Sequence, residues 1–331
     1  MQKRNRMMMT ALVATLALAA CYSQGQSETL RDRLKARRAA AQSGQASGDG
    51  TSIAITSGGQ QRTFLVHVPA NVPANPGVVL VFHGGSVGSA GTLQGNIGLD
   101  AVADRDGFIT VYPETLGKNW TDGRVATQGG PNDVQFTRDI VAYMQKTYGV
   151  SASKIFATGI SNGGIFDYKL ACDAPGLLRA IAPVAANMAD QLHADCGAPK
   201  PMPLMMFMGV DDPLMPYDGG YPKLKAMLEK VQGPLTDQMM SSVDTAAFWA
   251  GVNGCGGSSS KNLPDAVSDG TTVTEMDFAS CNRGSVVLFS INGGGHAWPG
   301  TGKSGGKLTG KNTNDISANE EMVAFFKQYG L

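Results

Sequence analysis

Residues 154–164 read KIFATGISNGG, and this stretch decides the fold that the sequence predicts. The run 154–158 is short, apolar and β-rich, and the helix-forming run 165–172 follows the glycines. A serine flanked by glycines two residues to either side is typical of a tight strand-to-helix turn with strained backbone. Such a turn presents the hydroxyl of Ser161 at the carboxyl edge of a sheet. An ordinary βα turn that contains glycines is the alternative interpretation.

From residue 62 onward, short apolar runs alternate with segments of helical period. This alternation predicts the α/β class, with a mostly parallel central sheet and helices on both faces. The strands are predicted at 63–68, 78–82, 108–112, 154–158, 180–185, 204–208 and 286–291. Amphipathic helices are predicted at 133–148 and 237–250, and a last helix begins at Ser317, where Glu320 completes a capping box.

The composition suits one compact domain, which we predict over residues 51–331. The chain has 331 residues, of which 42% are hydrophobic and 16% charged. Lys plus Arg and Asp plus Glu each number 27, so the formal net charge is zero and no overall basic field favours nucleic acid as a partner. After the N-terminus, no apolar run approaches the roughly 20 residues that a membrane-spanning helix needs.

The N-terminus differs from the rest of the chain. Basic residues precede an apolar stretch over 7–20, which is the pattern of a secretory signal peptide over 1–20. The stretch ends in LAAC at 18–21 and resembles the lipobox of bacterial lipoproteins, in which the cysteine, here Cys21, is acylated. A plain signal peptide is the alternative. Residues 21–50 are predicted to be a flexible tether, with a patch attracted to anionic lipid as the alternative.

We therefore expect an exported protein, either secreted or held at the cell envelope by its lipid anchor. If Cys21 carries the lipid, an even number of cysteines is left, namely Cys172, Cys196, Cys255 and Cys281. Export to an oxidising compartment favours disulfides between them. Short loops favour the pairs 172–196 and 255–281, but the sequence leaves the other two connectivities open.

A serine nucleophile needs a base that accepts its proton, and the chain contains four histidines. His67 alternates with apolar residues in a predicted strand, and His193 lies in a predicted surface loop. His296 lies in NGGGHAWPG at 292–300, directly after a predicted strand. A glycine-rich loop at this place can fold over the sheet edge and direct an imidazole towards Ser161, so His296 is the predicted base. A loop histidine that caps a turn is the alternative.

A carboxylate must orient this imidazole and stabilise the imidazolium that forms. GVDDP at 209–213 follows the predicted strand 204–208 and offers Asp211 and Asp212 at the same sheet edge. Spacing does not choose between them, and an aspartate that caps a turn is the alternative for either. The resulting chain order of serine, acid and histidine is that of α/β-hydrolases.

The turn HGGS at 83–86, which contains His83, follows the predicted strand 78–82. Because glycines lack side chains, this turn can bring a backbone N–H close to a reacting carbonyl. It would then act together with the amide of Asn162 as an oxyanion hole. A phosphate-binding loop is the rival interpretation, but neither GxxxxGK[ST] nor GxGxxG occurs there.

Together these stretches resemble the secreted polyhydroxybutyrate depolymerase and feruloyl esterase family of α/β-hydrolases, over most of residues 60–300. The segments that carry the resemblance are LVFHGG at 80–85, NDVQFTRDIV at 132–141, GISNGG at 159–164, GVDDPLMPY at 209–217 and GHAWPG at 295–300. The resemblance selects Asp212 as the acid, although Met208 stands where the family has a histidine. It implies Gly85 as the second oxyanion donor, a substrate cleft bordered by Trp298 and Ser86, and the disulfides Cys172–Cys196 and Cys255–Cys281.

The resemblance implies an α/β-hydrolase fold and a serine esterase that forms an acyl-enzyme. Expected substrates are small or oligomeric esters, either polyhydroxyalkanoate oligomers or feruloyl and acetyl esters of polysaccharides. No cofactor is expected, and no cluster of His, Cys and Asp has the spacing of a metal site. The sequence does not indicate an oligomeric state. A peptidase of the same fold and a non-catalytic binding lipoprotein are the alternatives.

Overall fold

Strands and helices alternate along the chain in the computed structural model, which describes residues 50–86, 88–232, 235–302, 306 and 308–331. The predicted signal peptide 1–20, Cys21 and the predicted tether up to residue 49 lie outside the described residues. The strands are β1 Thr51–Ser57, β2 Gln60–His67, β3 Val78–Phe82, β4 Ile109–Pro113, β5 Ile155–Gly159, β6 Leu204–Gly209, β7 Gly257–Asn262, β8 Thr272–Ala279 and β9 Val286–Asn292. The helices are α1 Ala90–Ile97, α2 Leu99–Asp106, α3 Asp133–Tyr148, α4 Asn162–Asp173, α5 Asp190–Asp195, α6 Lys225–Gln232, α7 Ser242–Asn253 and α8 Ala318–Gln328.

The strands form a five-stranded sheet in the order β1-β2-β4-β3-β5 and a four-stranded sheet in the order β6-β9-β8-β7. The strands β4, β3 and β5 are parallel, and so are β6 and β9. The outer strands β1, β2, β7 and β8 pair in the antiparallel sense. This arrangement confirms the predicted α/β class and its parallel centre, and it adds antiparallel edges that the sequence patterns did not indicate.

The segment 180–185 joins the two sheets, but it does not form the continuous strand that we predicted. Ile181 makes isolated parallel bridges to Ala157 and Leu204, and Val184 makes them to Ile160 and Phe207. Pro183 lies between them and has no N–H to give to a ladder, which explains why the pairing is interrupted. The segment 180–185 nevertheless lies between β5 and β6 and is bridged to both of them.

Apolar side chains pack helices on both faces of the sheet. Val79 pairs with Phe156, and the ring of Phe156 lies 4.9 Å from that of Phe326 in α8. Phe82 points to the opposite face, because side chains alternate along a strand, and its ring lies 5.1 Å from that of Phe166 in α4. Among the residues that the structure describes, no helix is long and apolar enough to cross a membrane.

Candidate active site

Ser161 lies in the predicted turn, between the end of β5 and the start of α4. Its backbone has φ 58° and ψ −123°, a positive-φ conformation that is strained for a residue with a side chain. The Ser161 N–H donates to the carbonyl of Val184 at 3.0 Å, which ties the turn to the connecting segment 180–185. A Cβ on Gly163 would lie 2.3 Å from the carbonyl oxygen of Phe82, so the turn tolerates only glycine at this position.

Asp212 and His296 are in direct contact. The Nδ1 atom of His296 lies 2.7 Å from Oδ2 of Asp212, and the Asp212 side chain is completely buried. The other oxygen, Oδ1, accepts the backbone N–H groups of Leu214 at 2.7 Å and Met215 at 2.8 Å. Asp212 therefore fixes the imidazole through one oxygen and its own loop through the other. Among the described residues, the Nε2 atom of His296 has no hydrogen-bond partner.

Asp211, the other candidate acid, is exposed. Its backbone N–H donates to the carbonyl of Gly294 at 2.9 Å, and that of Val210 donates to the carbonyl of Ile291, also at 2.9 Å. The loop that carries the acid is thus attached to the loop that carries the histidine. On its other side, the histidine loop is held by a hydrogen bond from the Gly295 N–H to the carbonyl of Lys311 at 2.8 Å.

The parallel register brings Ser161, Asp212 and His296 to the same carboxyl edge. Ser161 follows β5, which reaches β6 through the connecting segment, and β6 pairs with β9 up to the register Gly209 with Ile291. Neighbouring strands are separated by about 4.8 Å, so a loop that follows β9 begins only a few strand spacings from Ser161. Within the described chain, no hydrogen bond joins the Ser161 hydroxyl to His296. Such bonds are often long in unliganded hydrolases and shorten when substrate binds.

Gly85 and Asn162, the two predicted oxyanion donors, belong to neighbouring segments. A Cβ on Gly85 would lie 3.3 Å from Cβ of Asn162 and 2.1 Å from Oδ1 of Asn119. Neither the Gly85 N–H nor the Asn162 N–H donates to an acceptor among the described residues. Their role as oxyanion donors stays a prediction.

The side chain of Asn162 belongs to a buried network that sequence reasoning missed. It donates to Oδ2 of Asp122 at 2.6 Å and to the carbonyl of Trp120 at 3.1 Å, and it accepts the N–H of Trp120 at 2.7 Å. Asp122 is fully buried and also pairs with Arg124 at 2.7 Å. Burial disfavours the charge on Arg124, yet Asp122 keeps the pKa of the guanidinium above its ordinary value. The only sequence signal is the polar stretch NWTDGR at 119–124, between β4 and α3.

The turn HGGS at 83–86 is fixed by a contact between the side chains of His83 and Glu114. The His83 ring is buried, and its Nε2 atom lies 3.0 Å from Oε1 of Glu114. The carboxylate of Glu114 also accepts the N–H of Ala90 at the start of α1, at 2.9 Å. Burial acts to raise the pKa of Glu114, but the hydrogen bonds from His83 and Ala90 lower it below its usual value. Ser86, predicted to border the cleft, is exposed and has φ 66°.

The remaining histidines lie elsewhere. The Nε2 atom of His67 is 2.9 Å from Asp104. The ring of His193 packs edge-on against Phe248, at 4.8 Å between ring centres. Trp298 is only 5% exposed, and its indole N–H donates to Oδ1 of Asn319 at 2.9 Å. Trp298 therefore packs with the core, and its position beside the substrate cleft stays a prediction.

Both implied disulfides are confirmed. Cys172 is bonded to Cys196, with a separation of 24 residues, and Cys255 to Cys281, with a separation of 26.

Three comparisons with known proteins bear on this site. A family model described as X-Pro dipeptidyl-peptidase (S15 family) matches residues 16–207, a span that includes Ser161 and ends before Asp212 and His296. A Nocardia uniformis subsp. tsuyamanensis protein named as an esterase, NocK, is 28% identical over 261 residues, which cover 76% of this chain and 74% of that protein. Feruloyl esterase B of Piromyces equi is 29% identical over 253 residues, which cover 74% of this chain and 44% of that enzyme.

Among solved structures, an acetyl xylan esterase from Aspergillus awamori superposes with a TM-score of 0.55 at 19% identity, covering 84% of this chain and 99% of that one. This likeness supports the fold and carries no further argument. The esterase names of the sequence relatives confirm the predicted enzyme class, carboxylic ester hydrolase, and do not fix a substrate. Because the family model spans more than half of the chain and the fold agrees with it, the chain belongs to the α/β-hydrolase family described as X-Pro dipeptidyl-peptidase (S15 family).

Proposed function

We propose that this protein is an exported serine esterase in which Ser161 is the nucleophile, His296 the general base and Asp212 the acid that orients the base. The observation that carries the proposal is the 2.7 Å contact between His296 Nδ1 and Asp212 Oδ2, at the sheet edge where Ser161 occupies a strained turn. A buried carboxylate that holds the imidazole in one tautomer is the arrangement that allows Nε2 to accept a serine proton.

The proposed reaction has two halves. In the first, the Ser161 hydroxyl attacks the ester carbonyl while His296 takes its proton, and the amides of Gly85 and Asn162 stabilise the oxyanion. The bond to the alcohol then breaks, His296 protonates the leaving oxygen, and an acyl-enzyme is left. In the second half, His296 removes a proton from water, the resulting hydroxide attacks the acyl carbon, and the acid leaves as Ser161 recovers its proton.

Covalent labelling tests the nucleophile. A fluorophosphonate probe should label the wild type and fail to label Ser161→Ala, because the probe reacts with a serine that a base activates. Ser153→Ala is a matched control, since Ser153 is an exposed serine whose hydroxyl forms a hydrogen bond with that of Ser151. Equal labelling of Ser161→Ala and wild type would overturn the proposed mechanism.

The ester specificity needs a separate test, because the family description names a peptidase while the relatives are named as esterases. Esters and amides with the same acyl group should be compared by kcat/KM, and we expect turnover of the esters only. Cleavage of an X-Pro dipeptide anilide at a rate comparable to the ester would support a peptidase instead. No turnover of either class, with the folded state intact, would favour a non-catalytic binding protein.

For the substrate, we propose feruloyl or acetyl esters of polysaccharides or hydroxybutyrate oligomers. Similarity to Feruloyl esterase B supports the first class. Release of ferulate, acetate and hydroxybutyrate should be measured side by side with one enzyme preparation. Inactivity on all three, in a preparation that the fluorophosphonate probe labels, would remove this substrate proposal without affecting the proposed triad.

Export and lipid attachment are part of the same proposal. The two disulfides support an oxidising compartment. A clickable fatty acid fed to expressing bacterial cells should be incorporated into the wild type and be absent from Cys21→Ser. Equal incorporation into both proteins would contradict acylation at Cys21.

A further inference from the structure

A cavity of about 390 Å³ lies at the amino-terminal edge of the sheet, opposite the edge that carries the proposed triad. Three cationic residues from separate segments line it. Arg179 immediately precedes the connecting segment 180–185, Lys200 lies in the approach to β6, and Arg283 lies in the approach to β9. The three cations therefore lie on the connections that lead into the segment 180–185, β6 and β9.

The charges around this cavity are not compensated by the protein. The lining contains no Asp or Glu. In the part of the chain that the structure describes, Arg179, Lys200 and Arg283 form no side-chain hydrogen bond or ion pair. Other cations do have partners, as Arg62 does with Asp133 at 2.7 Å. A concave surface lined by cations of one sign attracts anions.

Hydrogen bonds and disulfides hold the backbone around the cavity. Asn253 is fully buried and bonds both backbone groups of Met202 at 2.8 Å, as well as the carbonyl of Gly284 at 2.9 Å. The hydroxyl of Tyr329 accepts the N–H of Ser285 at 2.8 Å. In addition, Cys196 and Cys281, four and two residues before Lys200 and Arg283, are each fixed by a disulfide. With the backbone held in this way, the ordering cost of binding an anion falls mainly on the three exposed cationic side chains.

We propose that this cavity binds a phosphate group through Arg179, Lys200 and Arg283. Two planar guanidinium groups and one ammonium match an oxyanion with three or more acceptor oxygens, and a phosphate monoester or inorganic phosphate at neutral pH also carries close to two negative charges. A carboxylate would offer one charge and two oxygens to three cations. The site lies apart from the proposed triad, and the proposal does not depend on the esterase activity.

Phosphate could reach the cavity as a free anion or as the headgroup of an anionic lipid, and two experimental arms distinguish these sources. In the first, inorganic phosphate is titrated into the full chain by calorimetry at low ionic strength, with sodium chloride of equal ionic strength as the blank. The variant Arg179→Gln/Lys200→Gln/Arg283→Gln should bind phosphate about tenfold or more weakly than the wild type. The matched control Lys146→Gln/Lys223→Gln/Lys230→Gln removes three exposed cations elsewhere and should leave binding unchanged.

In the second arm, the same proteins are sedimented with vesicles of phosphatidylglycerol or phosphatidylcholine. We call Arg179→Gln/Lys200→Gln/Arg283→Gln the cavity variant. Loss of binding to phosphatidylglycerol vesicles by the cavity variant, but not by the control variant, assigns the site to a lipid headgroup. Phosphate binding without selective vesicle binding assigns it to a free phosphate. The proposal is overturned if the wild type binds no phosphate, or if the control variant loses phosphate binding as strongly as the cavity variant. The far-ultraviolet circular dichroism of both variants should equal that of the wild type, which shows that they are folded whether or not the esterase proposal holds.

Discussion

At the scale of single residues, Asp211 and Asp212 differ in ways that their sequence does not show. Asp212 is buried against His296, while the side chain of Asp211 is exposed and its backbone N–H donates to the carbonyl of Gly294. Asp212→Asn keeps the shape of the side chain, and its carbonyl oxygen should stay with the N–H groups of Leu214 and Met215. Its NH2 group would then face Nδ1 of His296 and favour the wrong tautomer, so kcat should fall by about 10⁴-fold. Asp211→Asn should retain wild-type kcat on the same ester. A reversed result would assign the acid to Asp211.

Asp167 gives a second prediction at this scale. It is completely buried in α4, and neither carboxylate oxygen has a hydrogen-bond partner among the described residues. Burial raises the pKa of Asp167 well above its usual value, so the folded protein holds a proton that the unfolded chain releases. The free energy of unfolding of the wild type should therefore fall as the pH rises above the ordinary carboxyl pKa of about 3.9.

Replacing Asp167 by Asn removes this titration. Urea unfolding from pH 4 to 8 should show the stability of Asp167→Asn relative to wild type rising with pH, by about 1.4 kcal/mol per pH unit while Asp167 stays protonated. The rise should stop once the pH exceeds the pKa in the folded state. A stability difference between Asp167→Asn and wild type that is constant across this pH range would show that burial does not raise the pKa of the Asp167 carboxyl.

At the scale of elements, the strand-to-helix turn depends on close contact between β3 and α4. A methyl group at position 163 would lie 2.3 Å from the carbonyl of Phe82. Gly163→Ala should displace the Ser161 turn, and a displacement of about 1 Å can reduce kcat by 10²-fold or more. Gly95→Ala in α1, where a Cβ meets nothing within 4 Å, should instead add about 0.5–1 kcal/mol of stability and leave kcat unchanged. Equal kcat for Gly163→Ala and wild type would contradict this role of the turn.

The elements that the sequence predicted are those with a strong local signal. The helix 133–148 and the buried strands were predictable because their apolar periodicity is continuous. Strand β7 was not, since GSSSKN is exposed along its whole length and owes its conformation to pairing with β8. The predicted helix at 237–250 begins only at Ser242, because Met239 forms bridges with Ala189 and Gly220 and Ser241 caps the helix.

The same distinction applies to the candidate site. Ser161 and His296 were identifiable because glycines surround each of them directly after a predicted strand. The contact between Asn162 and Asp122 joins residues 40 positions apart and has no local signal. Likewise, the hydrogen bond from Trp298 to Asn319 in α8 is a tertiary contact that a motif cannot show.

At the scale of the whole molecule, two disulfides close loops of similar length in different places. Cys172–Cys196 joins the end of α4 to the end of α5, and Cys255–Cys281 joins the end of α7 to the approach to β9. If the disulfides act mainly by restricting the unfolded chain, their separations of 24 and 26 residues imply about 3.5 kcal/mol of stability each. The two contributions should therefore be nearly equal although the surroundings differ.

Urea unfolding of Cys172→Ser/Cys196→Ser and of Cys255→Ser/Cys281→Ser tests this equality. Each pair of substitutions should lower the free energy of unfolding by about 3–4 kcal/mol, and the fourfold variant should lose roughly the sum, because the two loops do not overlap in the sequence. Ester hydrolysis below the unfolding transition should be unchanged in both double variants, since neither disulfide touches the proposed triad. If one double variant lost much more stability than the other, local packing around that disulfide would outweigh loop closure, and the entropic account would not hold for this protein.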